Sequence, residues 1–265
     1  MYSNNKNHEE VFTMTDGLKW TVNHVPGSDD KFLDLMSEEN VTKANEFHKS
    51  FPQYSVTPLQ KLSALASYLG VKGIYCKDES YRFGLNAFKV LGGSYAMGRY
   101  IVKELGRDIS QLPYNVLSSD KLREEFGQAT FFTATDGNHG RGVAWAAKRL
   151  GQKAVVRMPK GTTKTRFDNI AKEGAVVTIE EVNYDDCVRM AAAEAAKTEH
   201  GIIVQDTAWD GYEEIPSWIM QGYGTLVLEA DKQLKRTVLT VLPTYRTGRC
   251  RFSGRCSCRL FRTQI

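Results

Sequence analysis

In the stretch LNAFKVLGGSYAM, residues 85–97, one lysine stands between a phenylalanine and an apolar, glycine-rich run that otherwise reads as core. Lys89 in such surroundings either snorkels its amine out to water or is kept there because the amine does chemistry. A second stretch of this kind is TDGNHGRG, residues 135–142. Its glycines let backbone approach a ligand closely, and its place ahead of a helical pattern offers free N–H groups to an anion. Asp136, Asn138 and His139 add polar side chains. A glycine-rich strand-to-helix turn capped by its Asp or Asn would carry the same residues. Asp206 opens a third stretch, DTAWDGY (206–212), immediately after the apolar run IIVQ. Taken alone, it reads as an N-cap or turn residue.

The elements that position these residues alternate. TPLQKLSALASYLG (57–70) combines a proline, a helical apolar pattern and a terminal glycine, and GIYCK follows as a short strand. ATFFTAT (129–135) reads as a buried strand, DGNHGRG as a turn, and VAWAAKRLG as a helix closed by Gly151. KAVVRM, AVVTIE and IIVQ are the next strands, separated by helical patterns in TKTRFDNIAKEG and YDDCVRMAAAEAAKTEHG. Pro216 opens a last helix running to about Arg236. Strands separated by helices of this length mean βαβ units and a mostly parallel sheet, whose ligands sit beyond the carboxyl ends of the strands. The residues just after each strand, 135–142 and 206–212 among them, are the candidates.

The chain has 265 residues, 42% hydrophobic and 25% charged, as expected of a globular protein with a sizeable core. Its formal charge of +4 is unevenly placed. Residues 237–265 hold six arginines and no acid or lysine, which leaves 29 basic against 31 acidic side chains before them, a net of −2. A nucleic-acid partner for the body of the chain loses its support. The start, MYSNNKNHEE, lacks the layout of a secretion signal, and no apolar run nears the roughly 18–20 residues of a membrane span, so a cytoplasmic protein without a membrane partner is expected. Five cysteines in such a chain imply no disulfide framework. Cys250, Cys256 and Cys258 lack C-x-x-C spacing for zinc, and no metal is expected.

Together, KDESYRFGLNAFKVLGG and TATDGNHGRGVAWAA resemble the fold type II pyridoxal phosphate enzymes, the family of threonine dehydratase, serine racemase and the tryptophan synthase β chain. RFGLNAFK, TDGNHGRGVAWAA, MPKG, NYDD and the run from VQDTAW to WIMQGY look like its diaminopropionate ammonia-lyase branch, over roughly residues 45–236. Two departures from the other branches favour this one: Leu91 stands where Lys-x-Arg-Gly relatives have arginine, and Asp136 where many dehydratases have serine. The resemblance implies an α/β, tryptophan synthase β-like, two-domain architecture with an incomplete large domain. Its parts would be 1–94 in the large domain, 95–185 as the small α/β domain, 186–236 as the start of the large-domain remainder, and 237–265 as an aberrant basic tail.

The resemblance also implies pyridoxal 5'-phosphate as cofactor, 2,3-diaminopropionate as small-molecule substrate, and a homodimer. Lys89 becomes the Schiff-base lysine, since desolvation lowers an amine's pKa and frees its lone pair for imine formation. The reaction implied is α,β-elimination of ammonia, with pyruvate and a second ammonia as final products. Asp136 holds the β-ammonium and moves a proton, as a second base for the D isomer opposite Lys89, and Asp206 positions the β-ammonium. Asn138 and Gly137 join Lys89 in binding the cofactor, Asn138 through its 3′ oxygen. Thr135, Asp136, His139 and Gly140 face the substrate, with His139 chiefly a part of the loop's structure. A threonine or serine dehydratase competes with this assignment. So does a non-catalytic chain whose basic tail binds acidic partners.

Fold type II chains carry a further glycine-rich phosphate loop, which is not legible after about Leu242. One permitted codon choice for residues 245–261, with a base dropped, reads IVQAGVGSVAGVVVGY, a strand, glycine-rich loop and helix. The tail is therefore expected to be an out-of-frame translation, and the chain as written to be truncated, to hold the cofactor poorly and to be inactive.

Overall fold

The computed structural model describes residues 11–13, 19–21 and 34–237. The stretch expected to be an out-of-frame translation, residues 237–265, lies outside them apart from Thr237. The chain divides into two units between Asp34 and Leu35. In the first, β1 (Val11–Thr13) pairs antiparallel with β2 (Lys19–Thr21).

The second unit opens with α1 (Glu38–Lys49), whose N-cap Ser37 accepts the Asn40 N–H and whose first turn carries Glu38 and Glu39 where the helix dipole favours acids. β3 (Leu59–Lys61) pairs antiparallel with β4 (Tyr75–Lys77), and only Ser63–Tyr68 between them is helical, as α2. The helix expected over 57–70 is shortened because pairing with Tyr75–Lys77 claims its first residues as strand. Next come α3 (Lys89–Glu104) and two short helices, α4 (Tyr114–Leu117) and α5 (Asp120–Phe126). The βαβ units then follow in the expected order: β5 (Thr130–Ala134), α6 (Asn138–Arg149), β6 (Lys153–Met158), α7 (Lys164–Ala171), β7 (Val176–Ile179), α8 (Tyr184–Lys197), β8 (Gly201–Ile203) and α9 (Glu214–Thr237). The expected turn DGNHGRG is largely helix, because α6 starts at Asn138. The last helix begins two residues ahead of Pro216.

β5 to β8 form one parallel sheet in the order β7-β6-β5-β8. The chain runs outward from β5 through β6 to β7 and then returns to the other side of β5. The carboxyl ends of β5 and β8 therefore flank the point where the strand order reverses, the place where open α/β sheets bind ligands. Residues 135–142 leave one of these ends, and Asp206 lies just beyond the other.

α3 lies between α6 and α9 at very close range. A Cβ at Gly142 would sit 2.8 Å from Val90 Cα, and one at Gly222 would sit 2.4 Å from the Leu91 carbonyl oxygen. Both neighbours are backbone of the first turn of α3, immediately after Lys89, so these glycines set where that lysine stands. Gly222→Ala should cost about 1–3 kcal/mol through overpacking, although alanine favours an exposed helix by about 1 kcal/mol. A lowered urea midpoint at unchanged slope is the expected reading, and a raised midpoint would show that the helices part freely.

The same turn is held by His48, which is fully buried on α1. Its Nε2 lies 2.9 Å from the Leu91 carbonyl oxygen and its Nδ1 lies 2.8 Å from Thr225 Oγ1 on α9. The carbonyl only accepts, so Nε2 carries the proton and Nδ1 accepts from the threonine hydroxyl. Burial is the main reason its pKa falls to about 3, with the Arg82 charge adding to it against the Leu91 hydrogen bond and Glu229. The folded pKa lies below the ordinary 6.5, so this stability is whole above pH 6.5 and is lost as pH falls towards 3. Between pH 7 and 5 His48 should account for about 2 kcal/mol of lost unfolding free energy. Urea titrations of His48→Gln, which has no charge to gain, should lack that increment. An unchanged pH slope would place the proton uptake elsewhere.

Candidate active site

Lys89 is the first residue of α3, so its side chain leaves the helix at the edge of the core rather than within it. Its Nζ donates to Asp206 Oδ2 at 2.7 Å, across 117 residues of sequence. Both groups are mostly buried, with the lysine side chain 17% exposed. The ammonium also lies 5.6 Å from the Phe88 ring centroid and 5.5 Å from that of Tyr223, and these two rings meet edge to face. Its apolar stem is packed, its charge is paired, and its amine remains reachable.

Asp206 is fixed by the residues around the end of β8. Gln205 is fully buried; its side-chain oxygen accepts the Ala134 N–H at 3.0 Å and the Thr133 hydroxyl at 3.1 Å, and its amide donates to the Tyr184 hydroxyl at 2.7 Å. Tyr212 folds back so that its hydroxyl accepts the Gln205 N–H at 2.7 Å and donates to the Ile203 carbonyl at 2.9 Å, and Trp209 stacks on its ring. Burial alone would push the Asp206 carboxyl up. The charge of His139 whenever its ring is protonated, the Lys89 charge and hydrogen bond, and its own backbone N–H outweigh burial and hold the carboxyl below its ordinary value. Asp206 is therefore an anion at neutral pH.

The loop after β5 is ordered by Thr135, whose buried hydroxyl accepts the Gly137 N–H at 2.9 Å and the Gly140 N–H at 3.2 Å. A Cβ at Gly140 would lie 2.3 Å from Thr135 Cγ2, so the close turn demands glycine. α6 then begins at Asn138, and the first-turn N–H groups of a helix have no partners within it, so they present a positive end to an anion. His139 is a buried helix residue rather than a loop residue. Its Nε2 is 2.9 Å from the Val204 carbonyl oxygen, and its Nδ1 is 3.7 Å from Asp206 Oδ2.

Lys89, Asp206 and His139 are thus brought together, with Thr135, Gly137 and Gly140 shaping the adjoining loop. Asp136 and Asn138 are on the exposed side of that loop. The Asp136 side chain is 75% exposed and stands 3.8 Å from Arg166, which also donates to the Asp136 carbonyl. Sequence reasoning missed Gln205, Tyr184, Tyr212, Tyr223 and Arg166. Gln205 carried a local signal, a polar residue closing an apolar strand, and Tyr184, Tyr212 and Tyr223 stood within the motifs NYDD and VQDTAW to WIMQGY without being singled out. These tyrosines and Arg166 arrive from separate helices and loops. Among the described residues no cluster of three metal-ligating side chains occurs, and no helix is long and apolar enough to cross a membrane.

These residues fit an aldehyde-bearing, phosphorylated cofactor. A reachable amine is paired with a carboxylate at the strand-order reversal, and a helix N-terminus lies beside it. Comparison with known proteins agrees. Residues 51–248 match the family model described as pyridoxal-phosphate dependent enzyme. Diaminopropionate ammonia-lyase of Salmonella typhimurium is 55% identical over 199 residues, covering 75% of this chain and 49% of that protein. The Escherichia coli K12 protein of the same name is 47% identical over 225 residues, covering 82% of this chain and 54% of its own length. The crystal structure of the Escherichia coli enzyme in complex with an aminoacrylate-PLP azomethine reaction intermediate superposes with a TM-score of 0.70 at 45% identity, covering 80% of this chain and 54% of that one. The chain spans about half the length of the curated relatives it matches.

Proposed function

The chain belongs to the pyridoxal-phosphate dependent enzymes, and from that premise we propose that its site is built for α,β-elimination of ammonia from 2,3-diaminopropionate. The α/β class and tryptophan synthase β-like fold expected from the sequence hold. The observation that carries the proposal is the Lys89–Asp206 pair at the reversal of strand order. Pyridoxal phosphate, when bound, supplies an electron sink for the pair of electrons left as a proton departs from the substrate Cα.

The chain's own residues divide the remaining work. Lys89 would hold the cofactor covalently and, when released, take the Cα proton on one face. Asp206 orients the Lys89 amine and offers a buried anion to the substrate's β-ammonium. Asp136, at the rim, would serve the opposite face, taking the Cα proton of the isomer that Lys89 does not serve. Gly137 and Asn138, at the start of α6, would bind the cofactor, while Thr135, His139 and Gly140 shape the substrate side. Division into parts 1–94, 95–185 and 186–236, a homodimer and a cytoplasmic setting belong to the same proposal and rest on the resemblance alone.

Two carboxylates and no serine at position 136 suit a diamino acid better than a hydroxy amino acid. The test is a chimera in which residues 1–236 replace the matching half of the Salmonella typhimurium relative. Pyruvate and ammonia release, followed with 2,3-diaminopropionate, threonine and serine, should favour the diamino acid by at least about a hundredfold in kcat/KM. The reverse preference would make the site a dehydratase.

A further inference from the structure

Three groups in this site share one oxygen. Asp206 Oδ2 accepts from Lys89 Nζ at 2.7 Å, and the same atom faces His139 Nδ1 at 3.7 Å. The histidine ring cannot turn to relieve this arrangement, because Nε2 is 2.9 Å from the Val204 carbonyl, which can only accept. The proton of the neutral ring therefore sits on Nε2, and Nδ1 presents a lone pair. His139 is 5% exposed, and no hydrogen-bond partner reaches its Nδ1 among the described residues. A buried nitrogen lone pair set beside a carboxylate is an unsatisfied arrangement of the sort that structures retain for a reason. One proton on Nδ1 would turn it into a charge-assisted hydrogen bond.

Lys89 has the opposite requirement. Its amine must lose a proton before the lone pair can attack an aldehyde carbon, and the ion pair with buried Asp206 opposes that loss. Losing it outright would leave the carboxylate buried without a counter-charge, at a cost of several kcal/mol.

We propose that His139 is the proton-holding partner of Lys89: the proton that leaves Lys89 Nζ passes through Asp206 Oδ2 and comes to rest on His139 Nδ1. The charge count is the same before and after, ammonium and carboxylate becoming carboxylate and imidazolium, and only one N–H bond is exchanged for another. Asp206 keeps a cation beside it throughout. His139 closes the remaining gap to hydrogen-bond distance by a shift of under one ångström, within the ordinary play of a side chain on the first turn of a helix. Its role is to position and discharge Lys89 through Asp206, without touching the substrate.

The other titratable groups facing this trio do not compete for the proton. Tyr184, from the start of α8, has its pKa pushed up to about 12, mainly by burial and then by the Asp206 charge, so it stays protonated. Tyr212, from the loop after β8, is pushed up as well, burial again dominating. Asp136 belongs to the loop that precedes α6, but its side chain is exposed and faces Arg166. Tyr223, from α9, contributes its ring face to Lys89.

The inference rests on Lys89 being the cofactor lysine, and the test separates the two. In the 265-residue chain, ¹⁵N NMR of the histidine side chains at pH 7 should show His139 Nδ1 without a proton. In Lys89→Met, where the ammonium is gone and Asp206 remains, more than half of His139 should carry a proton on Nδ1. In Lys89→Met with Asp206→Asn that proton should be gone again. Reductive labelling of Lys89 with pyridoxal phosphate and borohydride should slow on the order of tenfold at pH 7 in His139→Gln, whose amide still donates to the Val204 carbonyl but takes up no proton. A His139 Nδ1 signal indifferent to Lys89→Met, or an undiminished labelling rate in a folded His139→Gln, overturns the inference while leaving Lys89 as the cofactor lysine. Failure of the unaltered chain to label at Lys89 overturns both.

Discussion

Lys89→Ala should abolish elimination in the chimera, lowering turnover of 2,3-diaminopropionate by on the order of 10⁴-fold or more, because the covalent hold on the cofactor and one proton acceptor vanish together. Borohydride reduction of the chain with pyridoxal phosphate, followed by peptide mapping, should put the pyridoxyl group on Lys89. The informative competitor is Lys77, only twelve residues upstream in the same motif. Burial pulls the Lys77 amine below its ordinary pKa against the pull of Glu229, so protonation alone would nominate it as a nucleophile. Geometry excludes it. Its side chain is 8% exposed and paired with Glu229 at 2.8 Å, and Nζ also donates to the Thr57 carbonyl and to Gln233, each at 2.7 Å. Arg82, almost wholly buried, completes this cluster by bridging Glu229 and Glu79. Drawing Lys77 out to meet an aldehyde would leave Glu229 short of a partner in the core, whereas Lys89 is already at the strand-order reversal with its amine reachable. A label on Lys77 would falsify the assignment.

Asp136→Asn should then depress turnover of D-diaminopropionate about 10²–10⁴-fold while leaving the L isomer far less affected. The Cα protons of the two isomers point to opposite faces of a planar cofactor, so one fixed base cannot serve both. Lys89 sits in the buried cluster with Asp206 and His139, whereas Asp136 stands on the exposed side of the loop beside Arg166. Two acceptors in such different surroundings suit two faces, and asparagine keeps the shape of the loop while removing the proton acceptor. The check is the ratio of kcat/KM values for the two isomers in the chimera before and after the substitution. Equal losses would instead give Asp136 a duty common to both, such as protonating the amine that leaves.

Local pattern was enough to find Lys89, the loop 135–142, Asp206 and the alternation of strands and helices. Each depends on neighbours in sequence: an apolar period, a glycine cluster, a polar residue closing an apolar run. It was enough, too, for the resemblance to a pyridoxal phosphate family, because the motif residues are contiguous. Even so, the pattern misplaced the start of α6. Gly140 and Gly142 read as turn punctuation, yet both lie in the helix, because a side chain at Gly142 would collide with Val90 backbone and one at Gly140 with Thr135. Glycine was needed there for close approach, at Gly140 to Thr135 and at Gly142 to the backbone of α3, and the second need exists only once α3 has docked.

Only the tertiary structure decided which strand lies beside β5. The pairing of Phe131 with Ile202 and of Phe132 with Ile203 joins segments 71 residues apart, and no local period encodes it. That adjacency, together with α3 docked between α6 and α9, sets Asp206 against Lys89, and it turns His139 from a residue of an expected loop into a buried imidazole facing the same carboxylate oxygen. Periodicity records which face of an element is buried, because burial repeats with the backbone. Which elements then share that burial depends on shape and register across the whole chain, and for that reason the residues of this site could be named from the sequence while the proton contact between them could not.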